Sequence, residues 1–306
     1  MSDNTARLRR QLDSAVDLQS VVRAMKAMAA SSIVQYEQSL RALGDYYRTV
    51  ELGLSVCLRQ SPSTPHADLQ MREARPDVIG AVVFGSDQGL VGQFNERVVE
   101  YAVRSLAALP KNARRVWAMG ERVYSLLDDA GLPLAGLYAV PNSIQGIAPL
   151  VGQILIDTEA GGDSTAVTQL HLFYNQPITG SGAEVVGQRL LPLDDDWRRR
   201  LVQLPWPNGR STPDAVGGHV ATLRALIREY LFISLFRACT ESLASENASR
   251  LAAMQRADKN IDELLERLRG AFNRIRQSDI DEELFDVISG FEALNASTHE
   301  HIRSRG

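Results

Sequence analysis

The residues best placed to do chemistry lie in a glycine-rich segment, FGSDQGLVGQFN (Phe84–Asn95), behind a β-branched apolar run, Asp77–Phe84. A glycine turn after a strand invites a phosphate-binding reading, because glycine lets backbone amides approach an anion. The spacing of Gly85, Gly89 and Gly92 is not G-x-G-x-x-G, and the segment contains no G-x-x-x-x-G-K-[ST]. It supplies neither a phosphate lysine nor a magnesium hydroxyl. The favoured reading is a tight turn in which Asp87 or Ser86 caps the next helix.

Other reactive residue types are dispersed. His66, His171, His219, His299 and His301 form no H-E-x-x-H pair. Asp194, Asp195 and Asp196 read as a solvated loop in preference to a cation site. No serine sits in a G-x-S-x-G elbow. Cys57 and Cys239 read as buried, reduced thiols. The expectation is no catalytic residue, no metal and no cofactor in this chain.

Two cations carry more information. Lys26 and Arg250 lie in or beside small, apolar helix faces. Their stems can run along the apolar surface with the heads in water, or the heads can meet charges on a surrounding partner. Both readings stand. Arg274, Arg276, Gln277, Asp279, Asp281, Glu282 and Glu283 form either a solvated helix face or a docking face.

The elements that must position these residues follow from the proline pattern. Residues 2–60 lack proline, and so does the chain beyond Pro213. Such runs, rich in Ala, Leu, Arg, Gln and Glu, favour long helices. In the first, Leu8, Ala15, Val22, Ala29, Tyr36, Leu43, Val50 and Cys57 recur every seven residues. Leu12, Gln19, Lys26, Ile33, Leu40, Tyr47 and Leu54 accompany them, and only Gln19 and Lys26 interrupt. This is a coiled-coil pattern on a helix of roughly 85 Å.

The second helix, from about Asp214 to Leu294, carries Leu251, Met254, Asp258, Ile261, Leu265, Leu268, Phe272 and Ile275. Further back its stripe turns polar or small, through Asn247, Ala244, Thr240 and Arg237. Neither helix can bury its stripe alone, so antiparallel pairing is expected. Small residues support close approach: Ala24, Ala27, Ala29 and Ala30 on one helix, and Ala244, Ala248, Ala252 and Ala253 on the other.

Between the helices, short apolar runs alternate with helical stretches. Asp77–Phe84, Arg114–Gly120, Ala135–Val140, Ala166–Asn175 and Glu184–Leu193 read as strands. Asn95–Leu109, a stretch ending at Asp129, and Ile147–Glu159 read as helices. The fold class is α/β with long helices: an antiparallel coiled coil of the terminal helices plus an inserted, mostly parallel, Rossmann-like α/β domain. Expected boundaries are 2–60, 76–205, 213–295 and a polar tail, 296–306. Pro192–Pro213 is expected as a connecting loop.

Composition excludes several classes. The chain has 306 residues, 44% apolar and 23% charged, with net charge −4. No basic excess points to nucleic acid. The first residues have no apolar core of a secretory leader and carry Asp3 and Asp13, unlike a transit peptide. The longest apolar runs fall short of the ~20 residues a spanning helix needs.

Four ordered segments resemble the γ subunits of F-type ATP synthases. RAMKAMAASSI (Arg23–Ile33) is similar to K-A-M-x-x-V-A-A-x-K, and GSDQGLVGQFN (Gly85–Asn95) to S-D-R-G-L-C-G-x-x-N. ESLASENASRLAAMQRADKN (Glu241–Asn260) is similar to E-x-x-A-S-E-x-x-A-R-M-x-A-M-x-x-A-x-x-N. NRIRQSDIDEELFDVISG (Asn273–Gly290) resembles N-x-x-R-Q-x-x-I-T-x-E-L-x-E-I-x-x-G. The resemblance implies a non-catalytic rotor shaft inside a ring of α and β subunits, standing with the ε subunit on the membrane c-ring. It implies contact roles for Met25, Lys26, Arg250, Arg276, Gln277 and Glu283. It also implies a peripheral place on the cytoplasmic face of a bacterial inner membrane. Gln88, Val91, Gln93, Phe94, Asp281 and the segment Ala296–Gly306 depart from the family pattern, which marks a divergent branch. The coupling ion is left open, proton or sodium. A stand-alone α/β nucleotide-binding enzyme with helical arms, or a generic coiled-coil scaffold, are the alternative readings.

Overall fold

The computed structural model describes residues 3–60, 78–110, 113–159, 167–178, 182–207 and 218–303. In chain order its elements are α1 (Asp3–Gln60), β1 (Val78–Phe84), α2 (Phe94–Ala107), β2 (Ala113–Met119), α3 (Glu121–Asp129) and β3 (Leu134–Tyr138). These are followed by α4 (Ile144–Glu159), β4 (Gln169–Pro177), β5 (Ala183–Leu191), α5 (Asp195–Val202) and α6 (His219–Arg303). The proline-free flanks thus fold as the two long helices that their composition predicts. Helix α6 continues to Arg303, through the segment expected as a polar tail. The expected helix start at Asp214 and the histidine His66 lie outside the described residues.

The chain divides into two compact units, one of Met1–Ala27 with Met254–Gly306 and one of Met28–Ala253. In the first, Ala15, Val22, Met254 and Leu265 are buried, with Leu12 and Leu268 half-buried. Thr5 bonds Asp279, Gln19 bonds Asp262 and Lys26 bonds Asp258, at 3.0, 2.5 and 3.2 Å. Numbers that rise along α1 fall along α6, so the strips run antiparallel.

The second unit is built on a five-stranded sheet in the order β3-β2-β1-β4-β5. Strands β1 to β4 are parallel, and β5 pairs antiparallel with β4. Every residue of β1 is buried, as a strand covered on both faces requires. Its alternate residues serve two cores. Ile79, Ala81 and Val83 pack with Val98, Ala102 and Leu106 of α2 and Val123 and Leu127 of α3. Val78, Val82 and Phe84 pack with Ile147, Val151 and Ile154 of α4, Leu201 of α5, and both long helices. Each large apolar side chain fully buried here contributes roughly 1.5–3 kcal/mol.

The long helices pair antiparallel in this unit as well. Tyr47 and Tyr230 have ring centroids 5.7 Å apart, and Tyr46 donates to Glu229 at 2.8 Å. Tyr36, Val50, Leu54 and Cys57 are buried on the heptad positions that the sequence marks. The alanine expectation holds only in part. Ala29 and Ala244 are buried, whereas Ala24, Ala27, Ala30 and Ala252 are exposed. Larger side chains on the a and d positions fill the seam, and most of the small ones flank it. A second correction concerns Pro192–Pro213. Its described part contains the helix α5, because Asp194 accepts from Trp197 N at 2.9 Å and starts a turn there.

Candidate partner-contact site

Open α/β sheets bind ligands outside the carboxyl ends of their parallel strands. Here those ends are tied to one another. Gly85 N donates to Met119 O and Gly120 N to Tyr138 O, both at 2.9 Å, and Arg122 N donates to Ser86 O at 3.1 Å. Ser86 N donates to Asn95 Oδ1 at 3.0 Å, and Asn95 Nδ2 donates back to Ser86 Oγ at 2.8 Å. The amides of Gly85 and Ser86, at the start of the turn, are therefore engaged within the chain.

Asp87 corrects the capping expectation. It accepts from Glu121 N at 3.1 Å and from Val140 N at 3.2 Å. It thus caps α3 and not α2, which starts behind Gln93 without a side-chain cap. The glycines serve close packing. A Cβ on Gly85 would stand 1.9 Å from Val123 Cγ2. Gly120, at φ 108°, would press its Cβ to 2.6 Å from the Ser86 backbone. Helix α6 packs into the other core: all residues from Ala238 to Glu246 are buried, and Cys239 Sγ lies 3.8 Å from Met119 Sδ.

Lys26 and Arg250 both find carboxylates within the chain. In the first unit Asp258 accepts from Lys26 Nζ and Arg23 Nε at 3.2 Å each, and from Gln19 Nε2 at 3.4 Å. Gln19, only 8% exposed, also reaches Asp262. The two polar breaks in the α1 stripe therefore oppose the polar member of the α6 stripe. The donors, Lys26 first and then Arg23, hold the Asp258 carboxyl below the usual carboxylate range. Met25 is half-buried. Arg276, Gln277 and Glu283 are exposed on α6, and Arg276 lies roughly 27 Å along the helix from Asp258.

In the second unit Arg250 Nη2 donates to Glu246 Oε1 at 2.6 Å. Burial, more than anything else, raises the Glu246 carboxyl above the usual range, with Arg250 opposing and Asp87 adding to the rise. Sequence reasoning missed Asp258 and Glu246 as partners. The first had a signal, since antiparallel pairing sets the polar breaks opposite one another. The second sits one helical turn before Arg250, in reach of an i,i+4 bond.

The remaining sequence candidates have structural duties. Asp194 caps α5, Asp195 and Asp196 occupy its first turn, and Asp194 and Asp196 pair with Arg189 and Arg199. His171 stacks on Phe173, and burial lowers its pKa. Cys57 and Cys239 are buried and unbridged. Among the described residues no cluster of three or more His, Cys, Asp or Glu could hold a metal.

Two long paired helices around an α/β sheet with a self-tied ligand edge define a coiled-coil protein with an inserted α/β domain. The family model described as ATP synthase matches residues 4–294. This chain belongs to that family, on its gamma-chain branch. The ATP synthase gamma chain of Parafrankia sp. (strain EAN1pec) is 27% identical over 304 residues, covering 96% of this chain and 99% of the relative. That of Syntrophus aciditrophicus (strain SB) is 28% identical over 304 residues, covering 94% and 97%. In fold the chain is similar to a chain of the Euglena gracilis mitochondrial ATP synthase solved as OSCP/F1/c-ring in rotational state 3. That likeness covers 96% of each chain, at 15% identity and a TM-score of 0.61.

Proposed function

We infer that this chain is the non-catalytic central shaft of a rotary ATP synthase, coupling ion flow through a membrane ring to ATP synthesis or hydrolysis at β subunits. The family match over residues 4–294 carries the reading. The surface of the terminal segments supports it. Val16, Leu18 and Val21 on α1 are exposed, as are Ile280, Leu284, Phe285, Val287 and Ile288 on α6. Apolar surface on this scale suits burial against a partner.

The partners are the α and β subunits, the ε subunit and the membrane c-ring; nucleic acid is not among them. Met25, Lys26, Arg250, Arg276, Gln277 and Glu283 are the contact residues. The division into 2–60, 76–205 and 213–295 separates coil, α/β domain and coil, and 296–306 is a terminal segment into which helix α6 continues. Among the described residues no helix is long and apolar enough to cross a membrane. The chain is peripheral to the membrane, and we place it on the cytoplasmic face of a bacterial inner membrane.

Reconstitution with α and β subunits tests the reading. The chain is expected to co-purify with them and to turn when the ring hydrolyses ATP. A ring that hydrolyses ATP yet neither binds nor turns this chain overturns it.

A further inference from the structure

Glu246 is a buried carboxylate of α6 in the second unit. Its side chain is 7% exposed and that of Arg250 16%. Arg250 Nη2 donates to it at 2.6 Å, and the Asp87 carboxylate, the Tyr36 hydroxyl and the Cys239 thiol lie within reach of its charge. Asp87 is itself fixed by the amides of Glu121 and Val140. Burying an ion pair costs solvation that an apolar pair would not. What such a pair provides is direction: a guanidinium held at one end has its remaining N–H groups aimed.

We propose that Glu246 is a positioning residue that holds the Arg250 guanidinium in the orientation in which it meets a partner subunit. The inference rests on the rotor reading of Arg250 above. Protonation of Glu246 removes the charge that grips Arg250. Because burial raises its proton affinity, the grip is lost as pH falls through a value above the ordinary glutamate pKa of about 4.3.

The test uses the full chain assembled with α, β and membrane subunits in vesicles, reading ions pumped per ATP hydrolysed against pH. Glu246→Gln is expected to co-purify like wild type, to lose about fivefold in this ratio and to lose the acid limb of its profile. Glu246→Asp is expected to regain part of both. Added to Arg250→Gln, Glu246→Gln is expected to cause no further loss. An additive loss in the double variant, or an unchanged acid limb in Glu246→Gln, overturns the proposal. If Glu246→Gln does not assemble, wild type and Arg250→Gln decide: a limb present only in wild type supports the proposal, and the same limb in both overturns it. Failure of the wild-type chain to co-purify or turn overturns the rotor reading instead.

Discussion

Asp258 accepts from Lys26, Arg23 and Gln19, so its removal takes an acceptor from three donors, of which Arg23 and Gln19 keep Asp262, whereas removal of Lys26 leaves Asp258 its other two donors. Asp258→Ala is therefore expected to lower the Tm more than Lys26→Ala. The pH dependence has a definite sign. A carboxyl whose pKa is depressed on folding stabilises the fold above its unfolded value of about 3.9, and that gain vanishes as pH falls through the folded value. The Tm gap between wild type and Asp258→Asn should be open near pH 6 and closed in strong acid. A gap of equal size at both ends of a pH series of melts contradicts this assignment. Two glycines of one turn give a contrasting pair. Gly85→Ala drives a Cβ into Val123 and is expected to cost about 1–3 kcal/mol in urea unfolding. Gly89 has nothing within 4 Å of an added Cβ, so Gly89→Ala should match wild type or exceed it slightly.

Among the elements, the helices were the most legible. Tyr36, Val50 and Cys57 are buried at the spacing their positions mark, because a seven-residue repeat is a local property of one helix. Helix α5 was missed because Asp194–Asp196 read as a solvated loop, although an aspartate ahead of an apolar-periodic run is also an N-cap signal. Asp194→Ala is expected to cost about 1 kcal/mol, read from chemical denaturation, since Trp197 N loses its acceptor. Asp87 was half legible. Its capping role follows from residue type, but its acceptors' partners, Glu121 and Val140, are brought to it only by the sheet order. Lys26 shows the same limit: one helix reveals a polar break, and only the partner strip reveals that Asp258 answers it.

For the molecule as a whole, the proposed contact residues divide by environment. Lys26 and Arg250 are engaged inside the chain, whereas Arg276, Gln277 and Glu283 stand exposed on α6. Charge reversal at Arg276 is accordingly expected to lower ATP-driven ion pumping several-fold in the assembled complex, while unfolding of the isolated chain shifts by no more than about 0.5 kcal/mol. Unchanged pumping with normal assembly rules out a contact role there. The burial of Ala238–Glu246 on every side has a consequence of its own. Amide hydrogens in that stretch can exchange with deuterium only when the surrounding sheet and α1 open together, whereas those of Asp281–Ser289 exchange through local fraying. One uninterrupted helix should therefore show two clocks, slow at its sealed segment and fast at its exposed one.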